Sequence, residues 1–226
     1  MNYLSAHNHH HLDEQYEPTE TALDNCSDTL LWEQFRQGNK AAFDCIYDRL
    51  FQTLCSYGDK ICDDKSLVED TIQDLFIYLW TKRTRLGKTN AIKFYLFRCL
   101  RRNLIRAMSR EKKRPDPFSV VEKYHCHFQL SLKKSSAPAF EENELRDKLT
   151  RALHRLTDRQ KEAIYLKFYN NLSFQEVAAV MEIEVRSVYN LIGRTIDILR
   201  ADVQHFEVPA STLLIPFILS FLLEAI

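Results

Sequence analysis

The chain has 226 residues, 45% hydrophobic and 27% charged, with 31 basic residues against 31 acidic ones and so no formal net charge. This is an ordinary globular composition, long enough for one large core or two small ones. The 6 cysteines (Cys26, Cys45, Cys55, Cys62, Cys99 and Cys126) are scattered with no C-x-x-C pair, which excludes a disulfide framework and fits reduced thiols in a cytoplasmic protein. With only 4 glycines and 6 prolines and many long helix-period runs, the expectation is an all-α protein.

Residues 1–28 are expected to be a disordered tail. Its opening, "MNYLSAHNHHHLDEQYEPTE", lacks the basic start and apolar run of an export signal, and its histidines read as solvated. Helical periodicity is dense over 29–114. Within it, Ser66 and Glu69 have capping-box spacing ahead of "SLVEDTIQDLFIYLW". Leu67, Ile72, Leu75, Phe76 and Leu79 can face a core, while Asp70, Gln73, Asp74 and Ile77 form a second face that ends near Trp80. Two acids cannot be buried there unpaired, so this face suits docking of a partner helix.

Charge then changes sign. Residues 1–74 hold 15 acids and 5 bases, whereas residues 82–114 hold 13 bases and only Glu111. Such a basic run marks a polyanion-binding surface. A loop over Leu86–Asn90, with Lys88, Thr89 and Asn90, is placed to take a flipped base. A long helix is expected from about Ala91, with Ile92, Leu96, Leu100, Leu104 and Ala107 inward. Along it Phe94, Tyr95 and Phe97 alternate with Lys93, Arg98, Arg101 and Arg102. Rings among cations suit single-stranded nucleic acid, where each stacked base contributes about 1–3 kcal/mol.

Residues 115–142, with Pro115, Pro117 and Pro138, lose the helical period and read as a flexible linker. "YHCHF" at 124–128 offers one cysteine between two histidines with no second ligand pair, so neither a metal nor any other cofactor is expected. Helical periodicity returns over 143–205, with capping-box pairs at Thr157/Gln160 and Ser173/Glu176. A short helix, "FQEVAAVM", with Val177, Ala178 and Met181 inward, is followed by the turn "EIE" and then "VRSVYNLIGRTIDILR". In the last stretch Val185, Val188, Ile192, Ile196 and Leu199 make an apolar stripe, and Arg186, Tyr189, Asn190 and Arg194 face outward. This is the pattern of a helix-turn-helix whose second helix enters the major groove, where Arg can pair with guanine and Asn with adenine. Glu182 occupies the turn position where glycine is common. Residues 206–226 end in "STLLIPFILSFLLEAI", an apolar run too short for a comfortable membrane span of about 20 residues. It is read as a helix docking on the protein or a partner, with a membrane-surface contact or a disordered end as alternatives.

Two groups of segments together resemble a known family. "LWEQFRQGNKAAFDCIYDRL", "VEDTIQDLFIYLW" and "AIKFYLFRCLRRNLIR" are similar to region two of the extracytoplasmic-function sigma factors, and "LHRLTDRQKEAIYLKFYNNLSFQEVAAVMEIEVRSVYNLIGRTIDILR" resembles their region four. The resemblance implies an all-α chain of two small helical domains, a region-two bundle and a region-four helix-turn-helix, forming a dissociable, non-enzymatic subunit of bacterial RNA polymerase. By that likeness Asp70, Gln73, Asp74, Phe76 and Trp80 dock on the β′ coiled coil of the core enzyme, which contributes its β subunit as well. Lys88, Thr89, Asn90, Lys93, Phe94, Arg98, Arg101 and Arg102 bind and melt the minus-ten promoter element. Arg186, Ser187, Tyr189, Asn190 and Arg194 read the minus-thirty-five element. A membrane-tethered anti-sigma factor is the further partner implied, with no small-molecule substrate. The rival reading is a two-domain helix-turn-helix regulator that acts without polymerase. An enzyme is disfavoured by the lack of a Gly-rich phosphate loop, a metal-ligand cluster or a nucleophile–base set.

Overall fold

The computed structural model describes residues 26–111 and 150–203. The tails, the 115–142 linker and the "YHCHF" segment lie outside them. The protein is all-α, with no strand among the described residues.

Four helices form the N-terminal unit: α1 (Asp28–Arg36), α2 (Lys40–Ile61), α3 (Lys65–Lys82) and α4 (Ile92–Glu111). α2, α3 and α4 pack on one another in all three pairs, and α1 lies against α2. Side-chain oxygens cap their starts. Ser27 accepts from Leu30 N–H, Asn39 from Ala42 N–H and Asp64 from Leu67 N–H. The last corrects the expected Ser66/Glu69 box: Asp64, two residues earlier, takes the cap, and Ser66 lies exposed in the first turn of α3. α1 begins at Asp28, one residue before the expected boundary. The core is aromatic-rich, with Trp32, Phe35, Tyr57 and Phe97 at 1% exposure or less. Ile92, Leu96, Leu100 and Leu104 point into it as the 3.6-residue period requires. Phe97 is wholly buried and stacked on Tyr57, with ring centroids 4.7 Å apart, so it is a core residue and no platform for a base.

The C-terminal unit comprises a helical stretch at 150–155, α5 (Asp158–Ile164), a π-helical turn (Tyr165–Tyr169), α6 (Phe174–Met181) and α7 (Val185–Val203). The Thr157/Gln160 and Ser173/Glu176 capping boxes both form. α7 packs on α5 and on α6, burying Val188, Ile192 and Leu199 together with Thr195, whose hydroxyl donates to the Leu191 carbonyl at 2.7 Å. Between α6 and α7, Glu182 takes the left-handed conformation at φ 55°. The sharp turn therefore forms in the place where glycine would relieve strain.

The two units touch. α6 packs against α4, and one apolar cluster runs without a break from Leu31 through Leu104 to Tyr165, Met181 and Ile192.

Candidate functional site

The sequence-predicted residues fall on three surfaces. On α3, Asp70, Gln73 and Asp74 are exposed, as are Ile77 (57%) and Tyr78 (53%). Gln73, Phe76 and Trp80 line a groove of about 600 Å³ between α2 and α3, with Phe43, Tyr47 and Ile77. Its walls are interlocked rings: Phe76 meets Phe43 and Tyr47 edge-on at 6.0 and 4.8 Å, and Phe43 tilts against Trp80 at 5.1 Å. Phe76 itself is 4% exposed, so it forms the groove floor and contributes little accessible surface. Trp80 is half-buried beneath the Arg83 guanidinium, 4.5 Å from the ring centroid, while Arg83 Nη1–H donates to the Trp80 carbonyl at 2.7 Å. The Asp44 and Glu69 carboxylates and the Gln73 amide line this apolar slot, whereas Asp70 and Asp74 stand outside it; such a slot suits a helix that brings aliphatic side chains and bases.

The second surface is the 86–90 loop and the outer face of α4. The loop is tied at both ends to α1. Trp32 Nε1–H donates to the Gly87 carbonyl at 2.8 Å, and the Asp28 carboxylate accepts from Ile92 N–H at 2.8 Å, capping α4 from another helix. Thr89 Oγ1 accepts from Ala91 N–H at 3.2 Å, and Leu86 is buried. Gly87, Lys88 and Asn90 are thus held out into solvent on a fixed frame, with Thr89 half-buried among them. Arg98 and Arg102 are exposed, and Arg106 and Arg110 continue the row at i+4 spacing. The sequence reading omitted the last two, although the period could have found them. An i+4 step advances about 6 Å along a helix, so the row is a cationic track of about 18 Å.

Four residues of α4 behave differently. Lys93 and Phe94 are half-buried, and desolvation pushes the Lys93 ammonium below its ordinary pKa as it lies 5.9 Å from the Phe97 ring centroid. Tyr95 turns its edge to Trp32 at 5.3 Å. Arg101 is 6% exposed and points toward the C-terminal unit. Its Nε–H and Nη2–H donate to the two oxygens of Glu162 at 2.8 and 3.3 Å. In this arrangement Arg101 is apart from the exposed cations.

The third surface is α7. Arg186, Ser187, Tyr189, Asn190 and Arg194 are all exposed on one side, opposite the buried stripe. Tyr189 is fixed by stacking on Phe174 of α6, with centroids 4.0 Å apart and planes at 17°. Lys167 sits 4.7 Å over the other ring of the pair, Phe174, and donates to the Leu172 carbonyl at 3.1 Å. Lys167 and Phe174 were not legible as site residues, because they reach Tyr189 only through the fold. Gly193 has open space around it. Together these residues present donors and one rigid phenol to a groove-sized partner.

No helix among the described residues is long and apolar enough to cross a membrane. Nor do those residues contain a group of three or more His, Cys, Asp or Glu side chains placed to hold a metal ion.

Residues 46–114 match the model of sigma-70 region 2, and residues 146–197 match that of sigma-70 region 4. No curated protein matches the chain. Among solved structures, CnrH in complex with the cytosolic domain of CnrY is 21% identical at a TM-score of 0.48, covering 78% of this chain and 97% of that one. The sigma factor RpoE in complex with the anti-sigma factor NepR, from Bartonella quintana, is 18% identical at a TM-score of 0.46, covering 72% and 97%. The two family matches stand in the family's order and take in α3, the 86–90 loop, α4 and the 186–194 face of α7: the chain belongs to the sigma-70 family of RNA polymerase sigma factors, non-enzymatic initiation factors, as its resemblance to the extracytoplasmic-function members implies.

Proposed function

We propose that this protein is an extracytoplasmic-function sigma factor that binds core RNA polymerase, recognises minus-thirty-five and minus-ten elements and starts promoter melting. The α3 face and its aromatic groove dock on the polymerase, with Gln73 and Trp80 lining the groove, Phe76 at its floor, and Asp70 and Asp74 exposed on the same helix beside it. α7 reads duplex DNA: Arg186 and Asn190 reach base edges from the N-terminal half of the helix, and Arg194 takes a phosphate. The 86–90 loop receives an unstacked base while Arg98 and Arg102 follow the strand. An anti-sigma factor of the membrane-tethered kind fits the same aromatic groove and would compete with polymerase there.

The observation that carries this reading is the double anchoring of the loop by Trp32 and Asp28, immediately before a row of exposed arginines. A regulator that only binds duplex DNA has no use for a preformed, solvent-facing loop in a second unit. The test is permanganate probing of promoter fragments. Thymines near the minus-ten element become reactive when the protein and core polymerase are both added. If the protein protects the promoter without core and never opens it with core, the two-domain regulator is the correct account.

A further inference from the structure

Three side chains, from the π-helical turn, α6 and α7, stack on one another beside the exposed face of α7. Phe174 is the first residue of α6. It is set in place by the capping box, in which the Ser173 hydroxyl accepts from Glu176 N–H at 3.2 Å and Ser173 N–H donates to the Glu176 carboxylate at 2.7 Å. The Phe174 ring lies nearly parallel to that of Tyr189, at 4.0 Å and 17°. A ring that close takes up one face of Phe174, so the Lys167 ammonium, 4.7 Å from the same centroid, sits over the other. Lys167 is itself tethered to the Leu172 carbonyl at 3.1 Å. The outermost layer is not buried: Tyr189 is 52% exposed, among Arg186, Ser187 and Asn190. Gly193 follows Tyr189 by four residues and shares its side of α7. A longer side chain there would lie back over the preceding turn, so the glycine leaves the free side of the phenol ring uncovered. A ring held from behind and open in front is a platform.

We propose that Phe174 is a positioning residue for promoter recognition: it pins Tyr189 so that the open side of the ring meets the C5-methyl of a thymine in the minus-thirty-five element. The proposal rests on the reading of α7 as the duplex reader and names the chemical group that one of its residues recognises. The major groove offers a helix several hydrogen-bonding edges and one apolar group, the thymine methyl. Tyr189 is the fifth residue of α7, in the half of a recognition helix that reaches base edges. Arg186 and Asn190 are equipped for the hydrogen-bonding edges, and the ring is the large apolar surface beside them. An unsupported tyrosine on a helix spreads over two or three χ1 wells. Holding it in one well removes that ordering cost before DNA arrives. Lys167 and Phe174 touch no base in this scheme; they act through the ring they hold.

The experiment uses the full chain and a minus-thirty-five duplex selected from a randomised pool. Each thymine is replaced in turn by deoxyuridine, which removes the methyl and keeps the pairing edge, and the two duplexes compete for the protein. One replacement should weaken wild-type binding by about fourfold, the worth of one buried methyl. Tyr189→Ala should bind both duplexes equally. Phe174→Leu should discriminate only about twofold, because one χ1 well in two or three then meets the methyl. Phe174→Tyr, which keeps the ring, should discriminate as the wild type does. In the Tyr189→Ala background Phe174→Leu should change nothing further, a coupling that lost stability alone does not produce. Wild-type indifference to every methyl, or full discrimination in a folded Phe174→Leu, would overturn the proposal and leave the sigma-factor reading intact. If Phe174→Leu loses helix content, Phe174→Met takes its place. A methyl effect in a chain that yields no transcript with core polymerase would sink the sigma-factor reading and leave the positioning role standing. If the pool yields no preferred duplex, both fail.

Discussion

Replacing Trp32 by Phe separates the loop's scaffolding from its chemistry. Trp32 is 1% exposed, packs on Phe35 at 5.1 Å and Tyr95 at 5.3 Å, and holds the Gly87 carbonyl through its indole N–H. The substitution keeps an apolar ring but removes that N–H and part of the ring volume. The lost hydrogen bond is worth about 1 kcal/mol. Removing part of a buried indole adds a fraction of the 3–5 kcal/mol that complete truncation to Ala costs, so total destabilisation is about 2–3 kcal/mol. The functional consequence is distinct. Gly87, Lys88 and Asn90 are solvent-facing, so a loop released at Gly87 gains conformational freedom that must be surrendered again when a base is bound. Re-ordering even one residue costs about 1–2 kcal/mol, which corresponds to a roughly 5–30-fold lower equilibrium yield of open complex. Urea unfolding, followed by the fluorescence of the remaining Trp80, measures the first effect. Permanganate reactivity of the minus-ten thymines with saturating core measures the second, and minus-thirty-five duplex affinity should be unchanged. A variant that loses stability yet melts promoters as fully as the wild type would refute the idea that this hydrogen bond preorganises the loop.

Other substitutions probe the remaining surfaces. Asp74→Arg reverses an exposed charge on the α3 face and should abolish core binding in a pull-down while circular dichroism and minus-thirty-five duplex binding stay normal; undiminished core binding would mean the docking face is misassigned. Asn190→Ala should weaken minus-thirty-five recognition by about 1–3 kcal/mol in a duplex titration, and an unchanged ratio of specific to non-specific affinity would remove Asn190 from the reading set. Gly58→Ala and Gly193→Ala should move stability in opposite directions. A methyl at 58 would stand 2.5 Å from Val68 Cγ1 and cost about 1–3 kcal/mol by overpacking, whereas at 193 it meets nothing and should stabilise the helix by about 1 kcal/mol. Matching urea midpoints for the two would contradict the packing described for α2 against α3. Glu182→Gly should relieve left-handed strain, partly offset by the freer unfolded chain, for a gain of no more than about 1 kcal/mol in the same assay.

The elements themselves were readable because their signals are local. Apolar residues three and four apart gave the inward faces of α3, α4 and α7, and two of the three expected capping boxes formed where Ser or Thr was the first available cap. The third failed because Asp64 precedes Ser66 by two residues and can cap first, a choice that spacing alone does not decide. Interleaving of rings with bases along α4 was less informative. On a helix, adjacent residues point about 100° apart, so Phe97 went to the core while Arg98 faced water. Nor could sequence indicate that Arg101 meets a carboxylate 61 residues away, or that Asp28 and Trp32 anchor a loop 55 to 64 residues later. Those contacts exist only after the helices pack. The departure at Glu182, by contrast, was visible beforehand, and the turn forms there with a non-glycine residue in the left-handed region.

The most direct test is run-off transcription with purified core polymerase on templates carrying selected promoter fragments. The account predicts a discrete transcript only when the protein, core and a fragment with both elements are combined, and its loss with Asp74→Arg. A protein that binds the same fragments tightly by itself yet yields no transcript with core would contradict it.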